Sequence, residues 1–156
     1  MSTHTAEIHW TCQGEFATKQ YSRRHEWRFD GGVVVPASSS PHVVPLPYSD
    51  ATAVDPEEAF VASLSSCHML WFLDLACRAG LEVASYSDVA VGEMGLDAHG
   101  RVVIKTVCLR PATRFVGSKQ PDIVTLQQLH HRAHEECFLA NSVKTDIRCE
   151  PSIVHL

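Results

Sequence analysis

The chain has 156 residues, 45% of them hydrophobic and 20% charged, with a formal net charge of −5 when histidines are neutral. This length and composition predict one globular domain over residues 1–156. A mild acidic balance without a basic block predicts no nucleic-acid or anionic-membrane partner. Met1 to Glu7 has neither the basic start nor the apolar run of a signal peptide. Six cysteines without such a signal predict a reducing, cytoplasmic setting in which they begin as thiols.

In chain order, Ile8 and Trp10 alternate with polar neighbours, and Tyr21, Arg23, His25, Trp27 and Phe29 fall on every second position. Both runs predict strands. Asp30-Gly31-Gly32 is a turn signal and Val33 to Val35 a further short strand. From Pro36 to Val54 four prolines punctuate small residues, predicting an irregular segment packed on a surface or a partner. Asp55 is a good N-cap, Pro56 suits the first helical turn, and Glu57 and Glu58 complement the positive end of the dipole. That helix should run to about Ala79 and stop at Gly80. Its middle is apolar on nearly every side, which predicts a central, enclosed helix. The stretch from Ala59 to Cys77 is nonetheless broken by Ser63, Ser65, Ser66, His68 and Asp74, too polar for a membrane span.

Two strands follow near Glu82–Met94 and Arg101–Arg110, joined by a hairpin turn at Asp97 to Gly100. Thr125 and Gln128 form a capping box that predicts a second helix from about Thr125. After Asn141, alternation of Val143, Thr145, Ile147 and Cys149 predicts a last strand. The fold class is α+β, with antiparallel sheets packed around a long central helix that needs more cover than one small sheet supplies.

Pro56-Glu57-Glu58, Ala62-Ser63-Leu64-Ser65-Ser66-Cys67, Ala133-His134-Glu135-Glu136-Cys137 and Asn141-Ser142 together resemble the OsmC/Ohr family of thiol peroxidases, in its OsmC-like branch. The order of elements resembles that family over essentially the whole chain. The resemblance implies an intertwined homodimer with its site at the subunit interface. It implies reduction of organic hydroperoxides, or of hydrogen peroxide, by a cysteine pair that cycles between dithiol and disulfide, restored by a dithiol reductant. No metal or organic cofactor is implied. Cys67 matches the peroxide-attacking cysteine, Cys137 the resolving one, and Glu57 the glutamate ten residues ahead of Cys67. The family arginine has three candidates in the early strand region, Arg23, Arg24 and Arg28, because Val44 to Tyr48 holds none. Alternation puts Arg23 on the apolar face with Tyr21, Trp27 and Phe29, so Arg23 is selected. Many relatives carry proline where this chain has Phe138.

A thiol with an ordinary pKa near 8.5 is mostly protonated at neutral pH, so peroxide attack by Cys67 needs a stabilising cation. Three turns into the helix, the dipole offers it little. Ten residues of helix place Glu57 about 15 Å along the axis from Cys67, so a site using both draws Glu57 from a second subunit. Other patterns carry less. His130, His134 and Cys137 have spacings of a zinc half-site but lack an evident fourth ligand. His25 reads as a hydrogen-bonded core histidine on the Arg23 face, and His68 projects about 100° from Cys67 around the helix. Cys12, Cys77, Cys108 and Cys149 read as structural. The rival reading is a non-catalytic protein of the same fold that binds a small ligand.

Overall fold

The structure, a computed structural model, describes residues 1–154. It divides into two compact units, Met1–Ala59 and the remainder from Phe60 on.

In the first unit, β1 (Ala6–His9), β4 (His25–Phe29) and β5 (Val34–Ala37) form an antiparallel sheet with β4 central. Trp27 sits opposite both Ile8 and Val35, so apolar residues meet across the sheet. β2 (Gly14–Glu15) and β3 (Gln20–Tyr21) make a small separate hairpin. Gly14 adopts φ +110, and a Cβ there would lie 2.2 Å from the Gln20 carbonyl oxygen, so the hairpin needs glycine. The run expected as one strand over Tyr21–Phe29 is therefore split. Ser22 and Arg23 turn their N–H groups to Gln13 and Tyr48 rather than to a neighbouring strand. The proline-rich segment is pinned rather than free: Ala37 bridges Val54, and the Ser38 hydroxyl accepts the Asp50 N–H at 2.9 Å.

Helix α1 spans Pro56–Arg78. Its start is a reciprocal box: Asp55 accepts the Glu58 N–H at 2.7 Å and Glu58 accepts the Asp55 N–H at 3.2 Å. Its end is a Schellman motif, with Leu81 N–H to Ala76 O and Gly80 N–H to Cys77 O around Gly80 at φ +72. The helix is long and apolar enough to cross a bilayer by length and composition. Its buried stripe of Leu64, His68, Phe72, Leu75 and Ala76 faces the strands and second helix of its own unit. The expected all-round enclosure is not supplied within one chain, because Leu70 is 60% exposed.

In the second unit, β6 (Glu82–Asp88) and β7 (Val91–Leu96) run out, and β8 (Val102–Leu109) and β9 (Pro111–Val116) run back. The first expected strand is thus two strands, the second is β8, and β9 follows it unforeseen; the chain changes sheet between β6 and β7 and again between β8 and β9. One sheet has the order β10-β8-β7 and the other β11-β9-β6, with β10 (Asp146–Cys149) and β11 (Ser152–Ile153) added in parallel. The turn between β7 and β8 is the predicted one: the Asp97 carboxylate accepts the N–H groups of His99 and Arg101, and Gly100 takes φ +75. Helix α2 covers Ile123–Glu136 and is capped by Asp122, whose carboxylate accepts the Thr125 N–H at 2.7 Å. It begins two residues before the expected start. Phe72, Leu75 and Ala76 of α1 pack with Leu81, Phe115 and, from α2, Leu126, Leu129 and Ala133. A second cluster joins Leu64 to Val107 and Leu109.

Candidate active site

Two features carry chemistry. The first, in the second unit, is a pair of thiols. Cys67 lies half-buried in the middle of α1, and Cys137 is the C-cap of α2, 1% exposed. All six cysteines are free. Burial, and then the adjoining Cys67 thiol, push the Cys137 thiol up to about 11. The Ala140 N–H donates to its sulfur at 3.4 Å and works the other way. Cys137 is held there by a short 3-10 turn, Ala140–Ser142, that folds back on the helix end. Asn141 donates its side-chain amide to Glu135 O at 2.8 Å, and the Ser142 hydroxyl donates to Phe138 O at 2.7 Å. Trp71, one turn beyond Cys67, meets Phe138 edge-on with ring centroids 5.5 Å apart. An aromatic pair therefore flanks the thiols.

The second feature, in the first unit, is a cavity of about 430 Å³. Ile8, Trp10, Phe16 and Tyr21 make its apolar wall, and Arg23, His25 and Glu57 its polar one. Trp10, Phe16 and Tyr21 form a cluster in which Phe16 stacks on Tyr21 at 4.9 Å. The Arg23 guanidinium lies 3.8 Å above the Tyr21 ring and donates from Nη1 to the carbonyls of Lys19 and Tyr21. Arg24 is instead paired with Asp50 at 3.1 Å, and Arg28 with Glu26 at 2.9 Å, both guanidiniums being exposed. Among the described residues no carboxylate lies within ion-pair distance of Arg23. Glu57 shares the cavity without touching the guanidinium as a salt bridge.

A third cluster was not foreseen in the sequence. His68 Nε2 and His130 Nδ1 are 2.9 Å apart in the core of the second unit, with Cys149 Sγ 3.8 Å from His68 Nε2. The sequence grouped His130 with His134 and Cys137; among the described residues the potential ligand group is His68, His130 and Cys149 instead. The ring planes differ by 4° with centroids 5.2 Å apart, so the two nitrogens point at each other. Two imidazoles on one tetrahedral zinc would hold their nitrogens about 3.3 Å apart, given bonds of about 2.0 to 2.1 Å. A ligating histidine also donates its other N–H to an oxygen, whereas His68 Nδ1 and His130 Nε2 are buried without a protein partner. The geometry is that of one shared hydrogen bond between neutral rings. His68 is thus tied to the core, away from the thiol pair, as its angular offset from Cys67 suggested. The signal available in the sequence was its place on the Leu64, Phe72, Leu75 stripe.

An α+β frame of two helices with antiparallel and mixed three-stranded sheets defines the OsmC/Ohr class of fold. The chain belongs to the OsmC-like protein family, whose pattern matches residues 49–152. It is similar to an OsmC-like protein of unknown function from Vibrio cholerae, at 49% identity and TM-score 0.95 over 97% of this chain and 100% of that one. An organic hydroperoxide resistance protein OsmC from Legionella pneumophila shares the fold at 15% identity and TM-score 0.65, covering 99% of this chain and 98% of its own. The organic hydroperoxide resistance protein OhrB of Bacillus subtilis does so at 17% identity and TM-score 0.57, covering 96% and 98%. No curated protein matches the chain.

Proposed function

We propose that the protein is a cofactor-free thiol peroxidase that reduces organic hydroperoxides, and hydrogen peroxide more slowly, as a cytoplasmic homodimer. The observation that carries this reading is that the free thiol of Cys67 lies close enough to that of Cys137 to help raise its pKa. The Cys67 thiolate attacks the outer peroxide oxygen, the O–O bond breaks, and the alkoxide leaves as the alcohol after taking a proton. Cys67 is left as a sulfenic acid. Cys137 then attacks that sulfur, its proton leaves with the hydroxyl as water, and a disulfide forms. A dithiol restores both thiols by exchange and is itself oxidised to its disulfide.

Arg23 supplies the positive charge, hydrogen-bonding the peroxide oxygens, and Glu57 on the same cavity closes on its guanidinium when the peroxide is bound. Glu57 is the second residue of α1, ten residues ahead of Cys67 on the helix. The pairing of cavity with thiols is therefore assigned to two different subunits. The apolar wall of the cavity favours a hydroperoxide with a hydrocarbon body. The same wall also suits the rival reading, a binding protein for a small apolar ligand.

Intact mass separates the two. One equivalent of cumene hydroperoxide added to reduced protein should remove two hydrogens through a Cys67–Cys137 bond. Cys137→Ser should retain one added oxygen that dimedone traps, and Cys67→Ser should remain unchanged. An unaltered mass for the wild type after full incubation leaves only the binding protein standing.

A further inference from the structure

We propose that His25 is a positioning residue that fixes Arg23 through a hydrogen-bonded chain, Trp27 to His25 to Arg23, along one face of β4. Its catalytic consequence rests on the peroxidase reading; its structural content does not. An indole N–H is a donor only. Trp27 Nε1 lies 2.9 Å from His25 Nε2, so that nitrogen must accept. The ring proton therefore belongs to Nδ1, which donates to the Arg23 carbonyl oxygen at 2.8 Å. Both nitrogens are occupied. His25 lines the cavity, yet neither nitrogen is free to take a proton from a ligand.

The chain of bonds ends on the residue whose placement matters most. The Arg23 N–H donates to Tyr48 O at 2.8 Å, so its peptide groups are held on one side by Tyr48 and on the other by His25. The guanidinium is cradled by two main-chain carbonyls and the Tyr21 ring. Its Nε and Nη2 have no protein acceptor among the described residues, which leaves those N–H groups for a ligand oxygen. The brace is selective, because Arg24 and Arg28 are engaged instead by carboxylates of their own, Asp50 and Glu26. Arg23 sits between β3 and β4, outside both strands, where the sheet ladder does not hold it. The brace replaces that ladder.

The test uses three variants of the full chain. His25→Asn retains an N–H donor near the Nδ1 position, His25→Leu removes it, and Trp27→Phe frees the tautomer. Two readouts are taken: the Arg23 Nε–Hε signal in 15N-labelled protein, assigned by its loss in Arg23→Lys, and kcat/KM for cumene hydroperoxide. A distinct Arg23 signal is expected in the wild type and His25→Asn, an averaged one in His25→Leu, and a partly averaged one in Trp27→Phe. Misplacing a catalytic group by about 1 Å reduces rate severely, so kcat/KM should fall about tenfold or more in His25→Leu and recover in His25→Asn. If His25→Leu does not fold, Trp27→Phe against His25→Asn carries the comparison. An unaltered signal in both His25→Leu and Trp27→Phe overturns the brace, as does equal damage in His25→Asn and His25→Leu. An inactive wild type would defeat the peroxidase reading alone, with the Arg23 signal still judging the brace.

Discussion

His68 and His130 show what burial does to a pair of titratable side chains. They are 1% and 3% exposed, and His130 also stacks on Phe72 with centroids 4.1 Å apart. Burial lowers His68 to about 4, and burial together with the neighbouring His68 lowers His130 to about 3, from an ordinary 6.5. Below pH 6.5 the unfolded chain binds protons that the folded chain refuses. Stability is then fully present above that pH and falls as pH drops toward 4 and then 3. Each proton contributes a slope of about 1.4 kcal/mol per pH unit. Denaturant melts at pH 7.5, 6 and 5 should show the midpoint falling, with a shallower decline in the double variant His68→Leu with His130→Phe. Equal slopes in the two proteins would mean that other groups govern acid sensitivity. At this scale the sequence was partly legible. Alternation grouped Tyr21, Arg23 and His25, and these three do line one cavity, although residues 22–24 leave the strand. The partner of His68 was not legible, since it lies on another helix and no periodicity encodes it.

At the scale of elements, the boundaries that rest on local chemistry were readable. Asp55 and Glu58 cap α1, and Gly80 ends it, as their residue types require. Gly80 has open space around its Cα, with Lys119 Nζ the nearest atom to an added Cβ at 3.7 Å. Gly80→Ala therefore tests backbone strain without steric clash and should destabilise the fold by about 1 to 2 kcal/mol, the usual cost of a left-handed non-glycine residue. Chemical denaturation would read this; a change below a few tenths would show that the helix end relaxes. The start of α2 was misplaced because Ile123 and Val124 are 52% and 55% exposed and show no buried face. Asp122 and Thr125 are both cap residues three apart, and the carboxylate takes the role. The break between β6 and β7, and the passage from β8 to the unforeseen β9, had a different cause. Asp88 accepts the Arg110 N–H at 2.6 Å and the Ser65 hydroxyl at 2.5 Å, so a helix side chain fixes the point where strands change sheet. Such a contact exists only once the helix has docked.

The whole molecule presents apolar surface that one chain leaves open: Ile8 at 61%, Phe16 at 62%, Leu70 at 60% and Phe138 at 69% exposure. The proposed assembly into a dimer with composite sites would give that surface a function, and mixing variants tests it. Cys67→Ser and Arg23→Ala should each be inactive alone. After subunit exchange, half of the dimers are mixed and one of their two sites is intact, so about a quarter of wild-type activity should return. No recovery despite proven exchange would place cavity and thiols of one site in the same subunit. A further consequence follows from the unequal access of the six thiols. Cys12 and Cys77 stand open to solvent, while Cys137 is enclosed and keeps its proton at neutral pH. An alkylating reagent should therefore consume the outer sulfurs first and find Cys137 inert. In the proposed cycle only an electrophilic sulfur at Cys67 would draw Cys137 into reaction, so the protein would hold its second electron pair in reserve until the first had been used.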